Sequence, residues 1–231
     1  MRIHHTGEMG QDLLPALVIF DCDGVLVDSE PISNAVLAQA LTRVGLPTSA
    51  ESALSKFRGL HMRDVVAAAE ERLGRALPEG WVASYEQERA NAFRRSLAAM
   101  PGAAEAVRTV SAAGLAVCVA SQGRREKTEL TLSLTGLREL FGADAVFSAY
   151  SVARGKPHPD LFLHAAAMMG TRPERCAVIE DTTVGVTAAV AAGMRVLGYA
   201  AAGGGDGLAA AGSEVIMALS EVPVRLGLTN G

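Results

Sequence analysis

Short runs of apolar residues recur along the chain, and longer stretches rich in alanine and leucine separate them. Continuous apolarity over so few residues is typical of strands that are covered on both faces, as in a parallel sheet flanked by helices. The runs therefore predict the buried strands of such a sheet. The predicted strands are residues 17–20, 115–120, 145–147, 176–179 and 195–199.

Three of the intervening stretches have the pattern of crossover helices, and a glycine follows each of them. Gly114, Gly170 and Gly193 lie where helices commonly terminate in a left-handed residue. The predicted crossover helices are residues 103–113, 159–169 and 182–192. Strands and helices that alternate in this way predict an α/β fold with a doubly wound, Rossmann-like parallel sheet.

The interval between the first two predicted strands is far too long for a single crossover, and its pattern is helical throughout. A first helix is predicted to begin near residues 28–29 and to end at Gly45. Further helices are predicted at residues 64–73 and 81–94. An all-helical cap is therefore inserted into the α/β core. The predicted limits are residues 12–28 and 98–231 for the core and residues 29–97 for the cap.

Polar residues follow the predicted strands at the points where the strands end. Ligands of an open parallel sheet bind at the carboxyl ends of its strands, so we expect these residues to meet in one crevice. The crevice would hold four carboxylates, one hydroxyl and one lysine. They are Asp21 and Asp23 after the first strand, Ser121 after the second, Glu180 and Asp181 after the fourth, and Lys156 in the connection before it.

Four carboxylates in a dry crevice cannot all ionise without a cation, because neighbouring negative charges raise one another's pKa values. A hard divalent cation resolves this conflict. Mg²⁺ prefers a few carboxylates, keeps several waters and leaves room for a phosphate oxygen. We therefore expect a Mg²⁺ site, and its predicted ligands are Asp21, Glu180, Asp181 and a backbone carbonyl near Asp23.

The remaining groups of the crevice suit a phosphate ester. The Ser121 hydroxyl and the backbone N–H groups after it offer hydrogen bonds, and Lys156 offers a positive charge. Two aspartates separated by one residue can divide the chemistry, with Asp21 as the nucleophile and Asp23 as the acid and base. Gly24 permits the tight turn that holds both carboxylates near the same phosphorus. Small phosphorylated metabolites are the expected substrates.

The segment 20–30, which reads FDCDGVLVDSE, resembles the first motif of the haloacid dehalogenase superfamily, in its phosphatase and phosphomutase branch. The residues that resemble the family's later motifs are, in order, Ser121, Lys156 and the pair Glu180 and Asp181. The resemblance extends from residue 16 to about residue 200, and it implies that the inserted helices are the family's mobile cap. Within the family, the chain is most similar to the β-phosphoglucomutase-like group and its sugar-phosphate phosphatases.

Two positions bear on the activity that this resemblance implies. Asp23 argues against dehalogenation, because the dehalogenases of the family lack this aspartate. Ser33 stands where β-phosphoglucomutases carry a histidine that contacts the acid and base residue, and this favours a phosphatase. A phosphomutase, which must protect its phosphoenzyme from water, is the alternative activity. A noncatalytic phosphate-binding regulator with the same fold is the alternative from another class.

The segment around Gly59 resembles the family's substrate-specificity loop. Arg58 and Arg63 lie in this segment, and their guanidinium groups suit a carboxylate or a second phosphate at the far end of the substrate. A purely structural role for the two arginines is an equal alternative. Gln122, which follows the second motif's serine, is also predicted to contact the substrate.

Composition and charge indicate the partners and the cellular compartment of such an enzyme. The 231 residues carry a formal net charge of −4, and their 21 lysines and arginines are scattered, so no basic surface for nucleic acid is expected. The three cysteines lack zinc-ligand spacing, and no apolar stretch reaches the length of about 18 residues typical of a membrane helix. We therefore predict a cytoplasmic phosphatase, a monomer or weak dimer, with no nucleic-acid or membrane partner.

Overall fold

The computed structural model describes residues 14–57, 60–201 and 203–228. The strands are β1 (Leu17–Phe20), β2 (Ala116–Ser121), β3 (Val146–Ser148), β4 (Cys176–Glu180), β5 (Arg195–Tyr199) and β6 (Glu214–Ile216). They form one six-stranded sheet in which all neighbours are parallel, in the order β3-β2-β1-β4-β5-β6. This order, in which the chain runs outward from β1 in both directions, confirms the predicted doubly wound α/β core.

Strand β1 lies at the centre of the sheet, where it pairs with β2 on one side and β4 on the other. All its side chains are buried, which explains its continuous apolarity. Phe20, its last residue, lies opposite Val119 and Ile179, so the three strands end side by side. Strands β2 and β4 extend one residue beyond their predicted apolar runs, and their last residues are the polar Ser121 and Glu180.

The helices are α1 (Glu30–Arg43), α2 (Ala50–Phe57), α3 (Met62–Leu73), α4 (Trp81–Ser96), α5 (Ala103–Ala112), α6 (Arg125–Leu134), α7 (Asp160–Met168), α8 (Thr183–Ala191), α9 (Gly205–Ala210) and α10 (Val222–Arg225). Helices α5, α7 and α8 confirm the three predicted crossovers. Helix α6 was not predicted, because most of its side chains are charged or hydroxyl groups and leave no clear apolar stripe.

Helices α1–α4 follow β1 and pack around a hydrophobic cluster of their own. Leu37 and Leu41 of α1 belong to this cluster together with Phe57 of α2 and with Trp81 and Tyr85 of α4. The aromatic rings of Trp81 and Tyr85 stack with their centroids 5.9 Å apart. The segment between β1 and α5 is therefore all-helical in the described residues, as its sequence pattern predicts.

Two hydrophobic clusters thus underlie the predicted division of the chain. The larger cluster holds the buried side chains of the sheet and of the helices from α5 onward, and the smaller one holds those of α1–α4. The limits of core (12–28 and 98–231) and cap (29–97) stay a prediction, and residues 12 and 13 lie outside the described residues. Among the helices that the structure describes, none combines the length and apolarity needed to cross a membrane.

Candidate active site

Asp21 is the first residue after β1 and lines a crevice at the carboxyl ends of the strands. Its backbone N–H donates to the Ile179 carbonyl of β4 at 2.9 Å, so sheet hydrogen bonding fixes its position. The chain then turns at Gly24, whose φ of 82° lies in the left-handed region that favours glycine. A side chain at Gly24 would lie 2.2 Å from Oδ2 of Asp181, so the turn also approaches that carboxylate closely.

Lys156 joins the ends of three neighbouring strands. Its side chain is 3% exposed, and Nζ donates to Asp21 Oδ1 at 2.5 Å and to Glu180 Oε1 at 2.6 Å. A third hydrogen bond, of 3.2 Å, reaches the backbone carbonyl of Ala120 in β2. An ammonium group has three donors, and all three are used here. Lys156 therefore fixes the orientation of the Asp21 carboxylate against the sheet.

Burial dominates the electrostatics of this cluster. It raises the pKa of Asp21 to about 7, although the Lys156 ammonium opposes the rise. Burial alone would lower the pKa of Lys156, but the Asp21 and Glu180 carboxylates hold it above its ordinary value. Lys156 is therefore charged, and two buried carboxylates share it. A further cation or a proton must balance the second carboxylate.

Glu180, the last residue of β4, is buried and accepts hydrogen bonds at both carboxylate oxygens. Oε1 accepts from Lys156, and Oε2 accepts from the backbone N–H and the hydroxyl of Thr182, each at 2.9 Å. A side chain at Gly185 would lie 1.8 Å from Oε1, so only glycine fits beside this carboxylate. Glu180 thus supports Lys156 and the start of α8. Its role as a magnesium ligand stays a prediction, which these contacts disfavour.

The Asp23 carboxylate is held by two donors that the sequence analysis did not single out. The Ser29 hydroxyl and the Lys127 ammonium both donate to its Oδ1. Burial alone would raise the pKa of Asp23, but Lys127 holds it below its ordinary value. Lys127 lies in the first turn of α6, which begins shortly after β2 ends. That placement near a strand's carboxyl end is a sequence signal for Lys127, but it does not show which face of α6 turns toward the crevice.

Ser121 and Gln122 organise the loop that follows β2. Ser121 is fully buried, and its Oγ accepts a hydrogen bond from the Gly123 N–H at 3.1 Å. Gln122 contacts both backbone groups of Lys156, because Oε1 accepts from the N–H at 3.1 Å and Nε2 donates to the carbonyl at 3.4 Å. Gln122 therefore ties this loop to the one that carries Lys156. Contact of Ser121 or Gln122 with substrate stays a prediction.

A cavity of about 180 Å³ lies between the strand ends and helices α1–α4. It joins side chains that are far apart in the sequence. The predicted site residues that line it are Asp21, Asp23, Gln122, Lys156, Glu180 and Asp181. The cavity is closed on the helical side by residues that include Ser33, Leu37, Tyr85 and Arg89. Substrate in this cavity would therefore contact both the sheet and the helical insertion.

Of the two cap arginines that are predicted to bind substrate, the structure describes one. Arg58 lies outside the described residues. The Arg63 side chain is 76% exposed, its Nε lies 3.3 Å from Asp64 Oδ1, and it lines a second, neighbouring cavity. Substrate binding by Arg63 stays a prediction. Among the described residues of the cap, Arg89 of α4 lines the first cavity, and it is not among the residues predicted from the sequence.

Asp21 and Asp181 are the carboxylates best placed to hold a metal ion. Both line the cavity, whereas both carboxylate oxygens of Glu180 already accept hydrogen bonds from Lys156 and Thr182. In the part of the chain that the structure describes, no three His, Cys, Asp or Glu side chains form a preformed metal cluster. Mg²⁺ does not require one, because one or two carboxylates, waters and substrate phosphates commonly bind it. Its positive charge would add to that of Lys156 beside the carboxylates of Asp21, Asp181 and Glu180, which line the same cavity.

Two curated relatives match most of the chain. The 6-phosphogluconate phosphatase of Escherichia coli (strain K12) is 30% identical over 185 residues, which cover 80% of this chain and 82% of that protein. Hexitol phosphatase B of the same strain is 34% identical over 185 residues, which cover 77% of this chain and 80% of that protein. Both relatives carry a phosphatase name, in agreement with the resemblance seen in the sequence.

A solved structure and a family profile complete the comparison. A haloacid dehalogenase family hydrolase from Deinococcus radiodurans R1, crystallised with bound phosphate and sodium, is 32% identical. It superposes with a TM-score of 0.75 and covers 93% of this chain and 97% of its own. Residues 18–199, which include both the strand ends and helices α1–α4, match the family described as haloacid dehalogenase-like hydrolase. The chain belongs to this family.

Proposed function

We propose that this hydrolase releases phosphate from a phosphate monoester of a sugar or another small metabolite, with Mg²⁺ as cofactor and Asp21 as covalent nucleophile. The observation that carries the proposal is the junction of three strand ends, where Lys156 holds the Asp21 carboxylate at the base of a cavity. A buried carboxylate with a fixed orientation and a neighbouring cation suits attack on a phosphorus atom.

The proposed substrate class rests on the cavity and on the relatives. The names of the two curated relatives specify a phosphorylated sugar acid and hexitol phosphates. The cavity lining beyond Asp21 mixes polar groups such as Glu30, Asn34 and Arg89 with the apolar Leu37. Such a lining suits the hydroxyl groups and carbon chain of a sugar phosphate. Its volume of about 180 Å³ suits a small metabolite rather than a macromolecule.

Magnesium is proposed from the charge of the site and the kinds of donor present. Asp21 and Asp181 would supply carboxylate oxygens, and Asp23 would supply its main-chain carbonyl, since its side chain is engaged by Lys127 and Ser29. Bound Mg²⁺ would neutralise negative charge on the phosphoryl oxygens. The phosphate and sodium in the related Deinococcus structure support an anion and a cation in this fold.

The residues of the chain then act in two steps. First, Asp23 takes up a proton as the anionic substrate binds beside it. An Asp21 oxygen then bonds to phosphorus, the bond from phosphorus to the ester oxygen breaks, and Asp23 gives that oxygen its proton. Second, a water that loses a proton to Asp23 attacks the same phosphorus, and the bond to Asp21 breaks. Phosphate leaves, Asp23 releases the proton to solvent, and both aspartates return to their starting states. Lys156 offsets the negative charge of Asp21 and the phosphoryl group throughout.

The proposed setting is cytoplasmic, and the proposed active form is a monomer or weak dimer. Cys22, Cys118 and Cys176 are all buried and form no disulfide, which agrees with a reducing compartment. Burial raises the pKa of Cys22 to about 12 and raises that of Cys118 still further, so neither thiol is reactive at neutral pH. Covalent chemistry is therefore assigned to Asp21 rather than to a cysteine.

The proposal is tested by assaying the purified chain with Mg²⁺ against p-nitrophenyl phosphate and a panel of sugar, sugar-acid and hexitol phosphates. Release of free phosphate from the panel at a higher kcat/KM than from p-nitrophenyl phosphate is expected. Conversion of β-glucose 1-phosphate to glucose 6-phosphate faster than phosphate release would reinstate the phosphomutase. Phosphate binding without turnover of any compound would identify a noncatalytic regulator.

A further inference from the structure

Lys127 contacts the side chain of Asp23, the proposed acid and base residue, whereas Lys156 contacts the proposed nucleophile Asp21. Its ammonium donates to Asp23 Oδ1, and its side chain is only 10% exposed. Nζ also lies 5.8 Å from the ring centroid of Phe93, a buried residue near the end of α4. A lysine held between an aromatic face and a carboxylate has little rotational freedom. It can therefore fix the position of its partner.

The contacts distinguish the two oxygens of Asp23. Both Lys127 and the Ser29 hydroxyl donate to Oδ1. A carboxylate oxygen that already accepts two hydrogen bonds is a poor place for a proton, so Oδ2 is the oxygen that carries the proton exchanged with substrate. Lys127 reaches Asp23 from α6, whereas Ser29 reaches it from the start of α1. Donors from the core and from the cap thus orient the same carboxylate.

We propose that Lys127 is a positioning residue, which holds Asp23 with Oδ2 turned toward the ester oxygen of the substrate. This inference rests on the proposed function, because it concerns the proton that Asp23 gives to the leaving group. In that step the bond between phosphorus and the ester oxygen breaks, and the proton passes from Oδ2 to that oxygen. A misplaced Asp23 therefore slows the reaction most where the leaving oxygen needs the proton most.

The effect of the substitution on kcat/KM should depend on the leaving group. A general loss of stability would lower activity toward all substrates alike, so the two explanations can be distinguished. Benzyl phosphate releases an alcohol whose oxygen must be protonated, whereas p-nitrophenyl phosphate releases a phenolate that is stable without a proton. The quantity to compare is kcat/KM, since it reports only the steps up to release of the alcohol. Lys127→Met is expected to lower kcat/KM about ten- to a hundred-fold for benzyl phosphate and less than about three-fold for p-nitrophenyl phosphate.

Three further variants sharpen the result. Lys127→Gln keeps a hydrogen-bond donor but not the charge, and it replaces Lys127→Met in the comparison if that variant fails to fold. It should show the same dependence of kcat/KM on the leaving group. Lys127→Arg should recover most of the activity toward benzyl phosphate, because it keeps both the charge and the donors. Arg125→Met is the matched control on α6, where the Arg125 side chain is 48% exposed and pairs with Glu129. It should leave both substrates unaffected.

The outcomes separate this inference from the function on which it rests. Equal losses for both substrates would mean that Lys127 acts on the phosphoryl group or on the fold, and they would overturn the inference. Unchanged kcat/KM for benzyl phosphate in the folded Lys127→Met variant would also overturn it. A wild-type protein that releases phosphate from neither compound nor from the sugar-phosphate panel would instead remove the proposed phosphatase, and this inference with it.

Discussion

The floor and the roof of the cavity are built differently. On the floor, Asp21 and Glu180 stand at strand ends and share Lys156, and all three side chains are buried and hydrogen-bonded. On the roof, residues come from helices, and the charged groups are more open to solvent. Glu86 of α4, for example, lines the cavity with a side chain that is 33% exposed, and its Oε1 lies 3.3 Å from Arg124 Nε.

Because of this difference, we expect the floor to carry out the reaction and the roof to select the substrate. The register of parallel strands fixes the floor, because a shift of one residue would remove Asp21 and Glu180 from the same edge. Substitutions of exposed side chains usually change stability little, so we expect the roof to tolerate changes that alter substrate preference. Substitutions on the floor should abolish turnover or destabilise the fold. Substitutions on the roof should change which substrate is preferred.

The largest expected effect is the loss of the proposed nucleophile, Asp21, on the floor. Asp21→Asn should lower kcat by about 10³-fold or more, because an amide is a poor nucleophile. The matched control is Asp28→Asn, which removes an exposed carboxylate from the same loop and should keep near-normal kcat. Steady-state kinetics with p-nitrophenyl phosphate and Mg²⁺ measures both. A near-normal kcat in Asp21→Asn would show that Asp21 is not the nucleophile.

A second effect concerns stability. Lys156→Met leaves the buried Asp21 and Glu180 carboxylates without their shared cation, and it should lower the free energy of unfolding by about 3–5 kcal/mol. Urea unfolding in the presence of a chelator, followed by circular dichroism, measures the change. Lys56→Met, at an exposed position of α2, is the control and should change the stability by about 0.5 kcal/mol or less. Equal stability of the two variants would contradict the ionic cluster on the floor.

Magnesium should also act on the floor rather than on the roof. Free Mg²⁺ at about 100 times its Kd should raise the free energy of unfolding by about 2.7 kcal/mol. Asp181→Asn should lose most of this gain at the same Mg²⁺ concentration, whereas Asp206→Asn, at an exposed position in α9, should keep it. Thermal unfolding with and without Mg²⁺ provides the measurement. A wild-type Tm that does not respond to Mg²⁺ would argue against the proposed metal site.

The smallest effects are expected on the roof, where they should depend on the substrate. Arg89→Ala should lower kcat/KM about ten-fold for the best metabolite of the panel and much less for p-nitrophenyl phosphate, which has no polyol or anionic far end to bind. Arg63→Ala tests the original prediction for the specificity loop in the same pair of assays. A loss limited to the metabolite in Arg63→Ala would confirm that prediction. Equal losses for both substrates would assign the arginine to folding or to closure of the cap.

Much of the sheet could be predicted from the sequence, because buried parallel strands are continuously apolar. The edge strand β6 (Glu214–Ile216) was missed since it has only three residues and begins with a charged side chain. Glu214 pairs with Arg195 of the adjacent strand at 2.7 Å, which is a contact between residues distant in the sequence. The local sequence of a short strand predicts it poorly when the strand is stabilised mainly by contacts with its neighbour.

Some residues of the candidate site could likewise be predicted from the sequence, and others could not. Asp21 and Glu180 could be predicted because each follows an apolar run, and strand ends meet at one edge. Lys156 could be predicted from its charge and its place in the connection before β4. Lys127 and Arg89 could not, because their roles depend on which faces of α6 and α4 turn toward the crevice. A spacing of four residues does place Arg89 one turn beyond the buried Tyr85 on α4. Only packing of the helix against the core shows that this turn reaches the cavity.

The central claim, that Asp21 forms the covalent intermediate, is tested most directly by trapping the phosphoenzyme. The wild-type protein is quenched with acid during turnover of the best substrate, treated with borohydride and sequenced by tandem mass spectrometry. Borohydride reduces an aspartyl phosphate to homoserine, so homoserine at position 21 is the expected result, and Asp23 and Asp181 should stay unmodified. An actively turning-over enzyme in which Asp21 stays unmodified, or in which homoserine appears at another aspartate, would contradict the account.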